Sequence, residues 1–555
     1  MLIRAARAAV LPVYGRIRRF KRACEIPEAV QTQLLLDVLR RQASTAFGRD
    51  HGFSSIRRVE DFRRQVPVAP YERLIPYIER VKNGETDALI ADDTVRLFAL
   101  TSGTTSARKF IPVTDRSLRD YKRGWTMWGV RAYRDHRPRD LPLRPIVQMG
   151  GDPDEFRSPS GVPCGNMSGY TATVQRRLAR RQYVVPTECG KIKDPLARYY
   201  VALRFAIGTP VALFSAANPS TLLTLARTLD SQKERLLRDL HDGTLAPDLD
   251  LPPDLRASLT PRLKARPAAA RHLSAVADKL GRLYPQDAWP AHTTLITTWT
   301  GGSMGPYLRQ LPRFYGDVPV RDVGLIASEG RFTIPFENHT PSGVLDIWSH
   351  YFEFIPESEI DSAQPTVFGA HELELGCSYF LVPTTTAGLY RYQISDLVRV
   401  TGFLGRTPMV EFLGKGNRFA NLTGEKLSEH HVTQAMEATG FGVSAYTVAP
   451  IWDDVCPYYG VFIEEPEAAD DVSVKRFLAD LDRQLGEKNS EYAGKRESGR
   501  IGPVRAAVLP TGTWAAWDQQ RLAKTGGSPE QYKRPCLIGD AEFHRTMPVF
   551  RWIKG

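Results

Sequence analysis

The chain has 555 residues, which at about 150 residues per domain allows two to four domains and is too long for a single core. Hydrophobic residues make up 42% and charged residues 25%, ordinary values that exclude a disordered, collagen-like or coiled-coil chain. The formal net charge of +12 at pH 7 favours anionic partners, such as nucleotides, carboxylates, nucleic acid or acidic lipid, without choosing among them.

The first residues are basic but lack the order of a signal peptide. Their apolar run is broken by Pro12 and followed by Arg16, Arg18 and Arg19. We expect a short amphipathic helix docked on the body of the protein, with transient membrane contact as the alternative. No stretch approaches the roughly 20 apolar residues that cross a bilayer, so no stable membrane insertion is expected.

From residue 29 the pattern predicts short helices, several of them ended by prolines, as far as about residue 81. From about residue 95, apolar runs alternate with helical stretches, which predicts an α/β fold with a largely parallel sheet. The basic helical stretch from Thr221 to Tyr284 has no aromatic residues between its charges. A solvated helix face explains it better than a nucleic-acid surface, so no nucleic-acid partner is expected.

Residues 345–413 alternate apolar and polar side chains, which predicts antiparallel strands. After GKGNR at 414–418 the chain begins again with helix, two strands, helix and strand. The sequence therefore predicts a large N-terminal domain over residues 1–413, with mixed and parallel sheets and a β-rich part. A smaller, mobile α+β domain is expected over residues 414–555.

The six cysteines are scattered without a Cys-x-x-Cys pair, which is typical neither of a disulfide framework nor of a zinc site. We expect free thiols in a reducing compartment, and hence a cytoplasmic protein. The histidines include no His-Glu-x-x-His motif, and His430 and His431 point to different faces of a predicted helix. A structural role is the better interpretation of that pair.

A first candidate motif is TSGTT at residues 101–105, between the apolar run RLFAL and the cations Arg108 and Lys109. Backbone N–H groups and hydroxyls of such a loop wrap phosphate oxygens, and a following cation adds charge. The Walker A pattern GxxxxGK[ST] is absent from the chain. A loop of this composition is, taken alone, more often a simple turn.

Three later motifs occur in a telling order: GLIASEG at 324–330, GLYRYQISDLVRVTGF at 388–403 and QYKRP at 531–535. With TSGTT they resemble the adenylate-forming superfamily. Their wording, and that of residues 47–81, is similar to the GH3 family of acyl acid amido synthetases, in its bacterial type. The resemblance covers essentially the whole chain.

The resemblance implies an ATP-dependent ligase that forms a carbon–nitrogen bond. A carboxylic acid attacks the α-phosphate of ATP to give acyl-AMP and pyrophosphate, and an amine, expected to be an amino acid, then takes the acyl group to form an amide. ATP and Mg²⁺ are the expected cofactors. Two alternatives stay open: transfer of the acyl group to a thiol such as coenzyme A, and a non-catalytic binding protein on this fold.

The resemblance also implies roles for particular residues. Glu329 would bind Mg²⁺, a hard cation that takes oxygen ligands beside phosphates. Asp396 would accept hydrogen bonds from the ribose hydroxyls. Lys533 would be brought onto the α-phosphate, where its ammonium offsets charge that develops during adenylation. The other residues implied at the nucleotide are Thr101, Ser102, Gly103, Thr104, Thr105, Ala327, Ser328 and Arg399, with Lys109 as a further candidate.

The implied acyl-acid pocket consists of Arg123, Trp128, Ser168 and Tyr307, and its aromatic residues would suit an aryl or long acyl substrate. The sequence departs from the family pattern where Ser106-Ala107 replace glycine, where Ser395 precedes the ribose Asp, and where KRPC lacks an arginine after the proline. The last departure leaves open whether Arg534 replaces the missing cation.

One competing motif is GGSMG at 301–305, which fits the G-x-S-x-G nucleophile elbow of hydrolases. Asp322 or Asp346 with His350 or His371 would complete a triad. Pro306 at the start of the following helix and the lack of an HGGG-type segment disfavour this interpretation, and the extra C-terminal domain would have no explanation.

Overall fold

The computed structural model describes residues 2–555 except 102–107, 137–144, 176–179, 291, 361, 363, 417–418, 424, 426, 454–455, 469, 498 and 526–531. The helices in this part of the chain are α1 (Leu2–Ala23), α2 (Pro27–Gln42), α3 (Ala46–Asp50), α4 (Val59–Gln65), α5 (Ile75–Lys82), α6 (Asp115–Asp135), α7 (Met167–Thr173), α8 (Pro195–Ala206), α9 (Pro219–Ser231), α10 (Lys233–Asp242), α11 (Pro253–Leu259), α12 (Pro267–Leu280), α13 (Pro285–Ala288), α14 (Gly305–Leu308), α15 (Leu311–Tyr315), α16 (Glu429–Ala438), α17 (Asp471–Lys488), α18 (Ser490–Glu497) and α19 (Thr513–Thr525).

The strands are β1 (Val95–Thr101), β2 (Lys109–Thr114), β3 (Ile146–Gln148), β4 (Phe156–Arg157), β5 (Pro163–Gly165), β6 (Leu213–Ser215), β7 (Leu295–Thr298), β8 (Val320–Asp322), β9 (Ile326–Ala327), β10 (Gly330–Arg331), β11 (Thr333–Ile334), β12 (Gly343–Leu345), β13 (Tyr351–Pro356), β14 (Phe368–Gly369), β15 (Ser378–Thr384), β16 (Asp396–Leu404), β17 (Thr407–Lys415), β18 (Phe419–Ala420), β19 (Leu427–Ser428), β20 (Thr447–Ile451), β21 (Tyr458–Glu464), β22 (Arg505–Leu509) and β23 (Arg551–Lys554).

A parallel sheet in the order β3-β6-β7-β8 organises the first half of the chain. Helices α8 to α13 fill the connections and share one apolar core with the sheet. Because parallel strands end at the same edge, the residues after them meet there. That carboxyl edge, as we call it, carries Gly150, Asn218, Trp299 and Asp322.

The strand RLFAL lies outside this sheet, although the sequence pattern from residue 95 groups it with the strands of a largely parallel sheet. β1 pairs antiparallel with β2 in a separate sheet of order β2-β1-β5-β4. The link over residues 102–108 is too short for the crossover of a dozen or more residues that parallel strands need. β1 and β2 are therefore neighbours in an antiparallel pair, and Thr101, the first residue of TSGTT, ends β1.

A seven-stranded antiparallel sheet follows, in the order β11-β12-β17-β16-β15-β13-β14. The buried side chain of Arg391 joins it to the N-terminal helices, because its guanidinium donates to Glu353 at 2.8 Å and to the carbonyl oxygens of Arg63 and Val66. Arg63 binds the same Glu353 at 2.9 Å. The antiparallel strands predicted for residues 345–413 are thus observed.

The last part of the chain has cores of its own. The sheet β20-β21-β22-β23 packs against α16 and α17 within an apolar cluster that extends from Ala420 to Ile553. The parallel pair β21–β22 is connected through α17 and α18. We refer to the elements from residue 419 onward as the C-terminal unit.

The N-terminal helix α1 continues through Pro12 and docks on the body of the protein. Ile17 and Phe20 are buried, and the Phe20 ring packs edge-on against Trp348, with ring centroids 5.2 Å apart. The docked amphipathic helix is therefore the observed arrangement. In the described part of the chain, we find no helix with the length and apolarity that crossing a bilayer requires.

We expect Glu353→Ala to lower the free energy of unfolding by about 3–5 kcal/mol, because it leaves the guanidinium of Arg391 buried without its carboxylate. Urea denaturation followed by circular dichroism measures this loss. Glu487→Ala is the control: it removes an exposed partner of Arg483 on α17 and should cost less than about 1 kcal/mol. Equal losses in both variants would contradict the assignment.

Candidate functional site

Four charged side chains from three segments meet beside the β16–β17 hairpin. Asp396 and Lys415 form an ion pair at its open end, Glu329 comes from the turn between β9 and β10, and Lys109 begins β2. Their charges act on one another: those of Lys415, Asp396 and Lys109 all influence the pKa of Glu329. We call these four residues the charged cluster.

Asp396 is held in position by the backbone on both sides of it. It opposes Lys415 in the strand register, and Lys415 Nζ also donates to the carbonyl oxygen of Ile394 at 3.1 Å. Ser395 has φ 63°, in the left-handed region that favours glycine. The residue that departs from the family's glycine thus keeps a glycine-like conformation, and only 3% of Asp396 is exposed.

Glu329 lies with Ser328 in the turn that joins β9 to β10, in which Gly330 pairs with Ala327. Burial raises the pKa of Glu329, and Asp396 raises it further, while Lys415 and Lys109 oppose the shift. Gly330 has φ 155°, and a Cβ there would lie 2.3 Å from Nε2 of His350. A side chain at position 330 would therefore displace the turn that presents Glu329.

Lys109 points into the same place. Its Nζ lies 3.2 Å from the hydroxyl of Tyr392 and 5.2 Å from the centre of the Tyr71 ring. Burial lowers the pKa of Lys109, an effect that the nearby carboxylate of Glu329 opposes. Arg108, the other cation after the loop, makes an ion pair with Glu155 at 2.9 Å.

Of the TSGTT motif, the structure describes Thr101 alone. Thr101 ends β1, opposite Lys109 of β2 in the register, so the loop begins and ends beside the charged cluster. Ser102, Gly103, Thr104 and Thr105 lie outside the described residues. Their predicted role stays a prediction.

Arg399 has a partner away from the cluster. Its guanidinium binds Glu411 directly across the β16–β17 hairpin, at 2.8 Å from Nε, and its side chain is 36% exposed. Its charge also lowers the pKa of His430 on α16. Arg399 therefore lies on the side of the hairpin that faces the C-terminal unit.

Lys533 reaches the carboxyl edge of the parallel sheet. Its Nζ lies 4.1 Å from the centre of the Trp299 ring and 5.1 Å from that of Phe412. Such aromatic faces attract an ammonium. The charge of Lys533 also lowers the pKa of Asp322, which burial otherwise raises.

Arg534 turns the other way. Its guanidinium binds Asp518 at 2.6 Å and stacks on Trp514 at 4.7 Å, both within the C-terminal unit. Only 9% of its side chain is exposed. The geometry thus keeps Arg534 committed to its own unit and directs Lys533 toward the sheet.

The four predicted pocket residues divide between three places. Arg123 and Trp128 lie on α6: Arg123 binds Asp120 at 2.9 Å and Ser349 at 3.1 Å, and the Trp128 indole donates to the Asp322 carbonyl oxygen at 2.9 Å. Ser168 Oγ accepts from the Gly151 N–H, at the end of β3. Tyr307 lies beside Arg534 and Asp518, whose charges affect its pKa.

A buried group of polar residues surrounds Arg123. Burial raises the pKa of Asp120 to about 6 and also raises that of Asp346, while it lowers the pKa of His350 to about 3. Arg331 is fully buried beneath the Trp125 ring, at 4.4 Å, and burial lowers its pKa to about 10. This group lies between α6 and the strand β10 that follows Glu329.

The GGSMG segment packs against the antiparallel sheet. A Cβ on Gly301 would lie 3.0 Å from the Phe412 carbonyl oxygen, and one on Gly302 would lie 3.2 Å from the Phe412 ring. Asp322 accepts hydrogen bonds from Thr300 and Gly324. These glycines bring the edge of the parallel sheet against β17, which is a packing reason for the motif.

Three site residues were missed by sequence reasoning: Tyr392, Trp299 and Lys415 as a member of the charged cluster. Tyr392 lies within the motif at residues 388–403, in which the sequence suggests roles only for Asp396 and Arg399. Trp299 directly follows an apolar strand predicted to be parallel, and the rule that ligands bind at carboxyl ends could have marked it. Lys415 belongs to the GKGN segment that the sequence suggests only as a domain boundary.

The fold is that of the adenylate-forming ligases. The structure superposes on GH3.15 acyl acid amido synthetase with a TM-score of 0.82 at 20% sequence identity, over 98% of this chain and 97% of that one. It superposes on 2-hydroxyisobutyryl-CoA ligase in the postadenylation state with a TM-score of 0.54 at 13% identity, over 94% and 91%. The predicted fold class is confirmed.

The family follows from the sequence. Residues 16–320 match the GH3 family N-terminal domain, residues 343–415 the GH3 family central domain and residues 428–542 the GH3 family C-terminal domain. The chain therefore belongs to the GH3 family. The predicted family membership and enzyme class, a ligase, are confirmed.

Two curated relatives span nearly the whole chain. Indole-3-acetic acid-amido synthetase GH3.10 of Arabidopsis thaliana is 23% identical over 93% of this chain and 93% of its own length. Jasmonoyl–L-amino acid synthetase JAR4 of Nicotiana attenuata is 24% identical over 92% of this chain and 91% of its own length. Both are named as synthetases that join an acid to an amine.

We expect His350 to make the protein sensitive to acid. An unfolded imidazole titrates near 6.5 and the buried one near 3, so between these values the unfolded state binds more protons. The contribution of His350 to stability should therefore fall by about 2 kcal/mol between pH 7 and pH 5. Other buried groups titrate in both proteins, so urea unfolding should show a loss between these pH values that is about 2 kcal/mol larger in the wild type than in His350→Gln.

The exposed His272 on α12 supplies the control for this measurement. His272→Gln should follow the wild-type pH dependence, since its imidazole is in water in both states. Identical pH dependence for His350→Gln and the wild type would remove His350 as the source.

Proposed function

We propose that the protein is an ATP-dependent acyl acid amido synthetase, which forms acyl-AMP from a carboxylic acid and then transfers the acyl group to an amino acid. The observation that carries this proposal is the charged cluster, with two carboxylates and two lysines beside the open end of the β16–β17 hairpin. Family membership and the names of the relatives support the reaction class.

In this proposal each residue of the cluster has a task. Asp396, an acceptor-only carboxylate, takes hydrogen bonds from the ribose hydroxyls. Lys109 lies where the loop ends and offsets phosphate charge. Lys415 holds Asp396 in place through their ion pair. Ala327 and Ser328 form the wall of the turn beside the nucleotide, with Thr101 to Thr105 around the phosphates.

The residues also suit Mg²⁺. Glu329 is 7% exposed, and burial beside Asp396 raises its pKa, so a cation near it would favour its charged form. The described residues contain no group of three or more acidic, His or Cys side chains that could hold a metal. One carboxylate is nevertheless sufficient, because Mg²⁺ on a nucleotide takes most of its ligands from phosphates and water. When bound, Mg²⁺ neutralises phosphate charge.

Lys533 supplies a further positive charge, in addition to Lys109, for the proposed adenylation step. As the acid's carboxylate attacks the α-phosphate, negative charge increases on the phosphate oxygens, and an ammonium placed there in advance stabilises it. The sequence predicts a mobile domain over residues 414–555, but Gly414 and Lys415 belong to β17. For amide formation we therefore propose that the C-terminal unit, from residue 419 onward, rotates and withdraws Lys533, which admits the amine. Arg399, on the side facing the C-terminal unit, is placed to interact with it during this motion.

The acyl pocket is proposed on the α6 side, where Arg123 and Trp128 line the buried polar group that follows Glu329. Ser168 lies apart from this group at the end of β3, and Tyr307 lies beside Arg534 and Asp518. A thiol such as coenzyme A is a second acceptor to test, because 2-hydroxyisobutyryl-CoA ligase has the same fold. We further propose that the enzyme works in the cytoplasm, since all six cysteines are free thiols.

Pyrophosphate release measured over a panel of carboxylic acids tests the function. Each acid is offered alone, with each of the twenty amino acids, and with coenzyme A, and the product is weighed by mass spectrometry. An amide product with AMP supports the proposal. A thioester product, or no pyrophosphate with any acid from a folded enzyme, would overturn it.

We expect Asp396→Ala to weaken ATP binding by about 1.5–3 kcal/mol, the range for hydrogen bonds to a charged acceptor. Calorimetric titration with ATP or AMP measures the change, and the circular dichroism spectrum should stay that of the wild type. Asp540→Ala, at an exposed carboxylate of the C-terminal unit, is the control and should bind normally. Unchanged affinity in folded Asp396→Ala would exclude Asp396 from the nucleotide site.

We expect Lys533→Ala to slow pyrophosphate release by about 10²–10³-fold, the effect of removing one preorganised donor. Amide formation from supplied acyl-AMP should stay near the wild-type rate, because Lys533 is withdrawn in that step. Lys475→Ala, at an exposed lysine of α17, should change neither rate. Equal losses in both steps would show that Lys533 does not act in adenylation alone.

A further inference from the structure

The short segment that carries Lys533 is fixed firmly within the C-terminal unit. Asp518 accepts from the Tyr532 hydroxyl at 2.9 Å and binds Arg534. Glu429 accepts from the Cys536 N–H at 2.7 Å. These contacts hold the segment in the C-terminal unit but do not determine where Lys533 lies relative to the parallel sheet.

One side chain across the boundary makes that connection. The buried Asn218, 2% exposed, donates its side-chain amide to the carbonyl oxygen of Tyr532. That carbonyl belongs to the peptide bond that leads into Lys533. The hydrogen bond therefore constrains the peptide group that contains the backbone nitrogen of Lys533.

Asn218 is itself rigid. Its Oδ1 caps helix α9 by accepting from the Ser220 N–H at 3.0 Å, so its amide group cannot rotate without losing the cap. With the oxygen committed to the helix, the nitrogen can only face outward, toward Tyr532. The two ends of one amide thus join the helix of one part of the protein to the lysine segment of the other.

Asn218 also neighbours the place where the ammonium lies. The backbone N–H of Trp299 donates to the carbonyl oxygen of Ala217 at 2.8 Å, so the residues after β6 and β7 lie side by side on the carboxyl edge. Trp299 holds the charged end of Lys533, and Asn218 holds its backbone end. The same edge of the sheet grips the lysine at both ends.

We propose that Asn218 is a positioning residue that fixes Lys533 for the adenylation step and is released when the C-terminal unit rotates for amide formation. This inference rests on the proposed function, since it assigns the lysine to adenylation. Asn218 touches neither the reacting acid nor the nucleotide in this role, and acts through the Tyr532 carbonyl alone.

The test is Asn218→Asp, which has the same shape. A carboxylate still caps α9 by accepting from Ser220, but the donor facing the Tyr532 carbonyl becomes an oxygen that repels it. We expect the pyrophosphate-forming step to slow about 10-fold, since a buried acceptor loses its donor. Amide formation from supplied acyl-AMP should remain unchanged.

A second readout needs no acid or amine. The rate at which a water-soluble amine-acylating reagent labels Lys533, followed by peptide mass spectrometry of the enzyme alone, should increase in Asn218→Asp as the segment leaves Trp299. Asp194→Asn is the matched control: Asp194 caps the neighbouring helix α8, so the variant makes the reverse exchange at a helix cap, and labelling should stay at the wild-type rate.

The outcomes separate this inference from the proposed function. If no acid yields pyrophosphate with the wild type, the proposed function is overturned. The rate of Lys533 labelling then tests by itself whether Asn218 positions the lysine. Wild-type labelling and a wild-type adenylation rate in Asn218→Asp would overturn the inference, as would equal losses in both half-reactions. Should Asn218→Asp not fold, Asn218→Ser, which keeps an acceptor for the cap and lacks the amide donor, takes its place with the same expectations.

Discussion

The ion pair between Asp396 and Lys415 is the contact on which the site depends. It closes the open end of the β16–β17 hairpin, so one interaction places the proposed ribose acceptor, supplies a cation next to Glu329 and fixes the point where the chain leaves the antiparallel sheet. The proposed nucleotide site and the path to the C-terminal unit are therefore parts of one hairpin. A substitution in this ion pair would therefore affect both the proposed nucleotide site and the start of the path to the C-terminal unit.

Burial of charge is the cost that this arrangement must balance. Glu329 and Asp396 are both nearly inaccessible, and two carboxylates close together raise each other's energy when ionised. Lys109 and Lys415 compensate from either side, so the cluster is close to neutral before any ligand arrives. The proposed nucleotide would then enter a site whose formal charges already cancel, with no isolated charge left in a region of low dielectric.

Much of the fold could be predicted from local patterns. The alternation over residues 345–413 and the helical periodicity near the N-terminus are read from side chains that lie next to each other in the chain. The position of β1 could not be found this way, because RLFAL is equally suited to a parallel or an antiparallel partner, and only the length of the following link decides. The pairing register likewise depends on contacts far apart in sequence.

The site shows the same division. The family resemblance supplied roles for Glu329, Asp396 and Lys533, so the sequence could name them. The local sequence around Trp299, Tyr392 and Asn218 indicates only structural roles. Trp299 and Asn218 become neighbours only because the parallel strands that precede them end at the same edge of the sheet. Arg123 and Tyr307 lie in separate places, which the linear sequence also does not indicate. Spatial neighbours on a sheet edge leave little trace in a linear pattern.

Gly416 follows Lys415 immediately, and a Cβ there would lie 1.9 Å from Cε1 of the Phe380 ring, while its N–H donates to the Ser395 carbonyl oxygen. The linker, by which we mean the segment that joins β17 to the C-terminal unit, thus starts at a residue that tolerates no side chain. Natural variation or laboratory selection that adjusts the proposed rotation of the C-terminal unit must then act further along the linker or on Phe380 itself. A library aimed at the speed of domain exchange should leave position 416 constant and vary position 380 together with the linker.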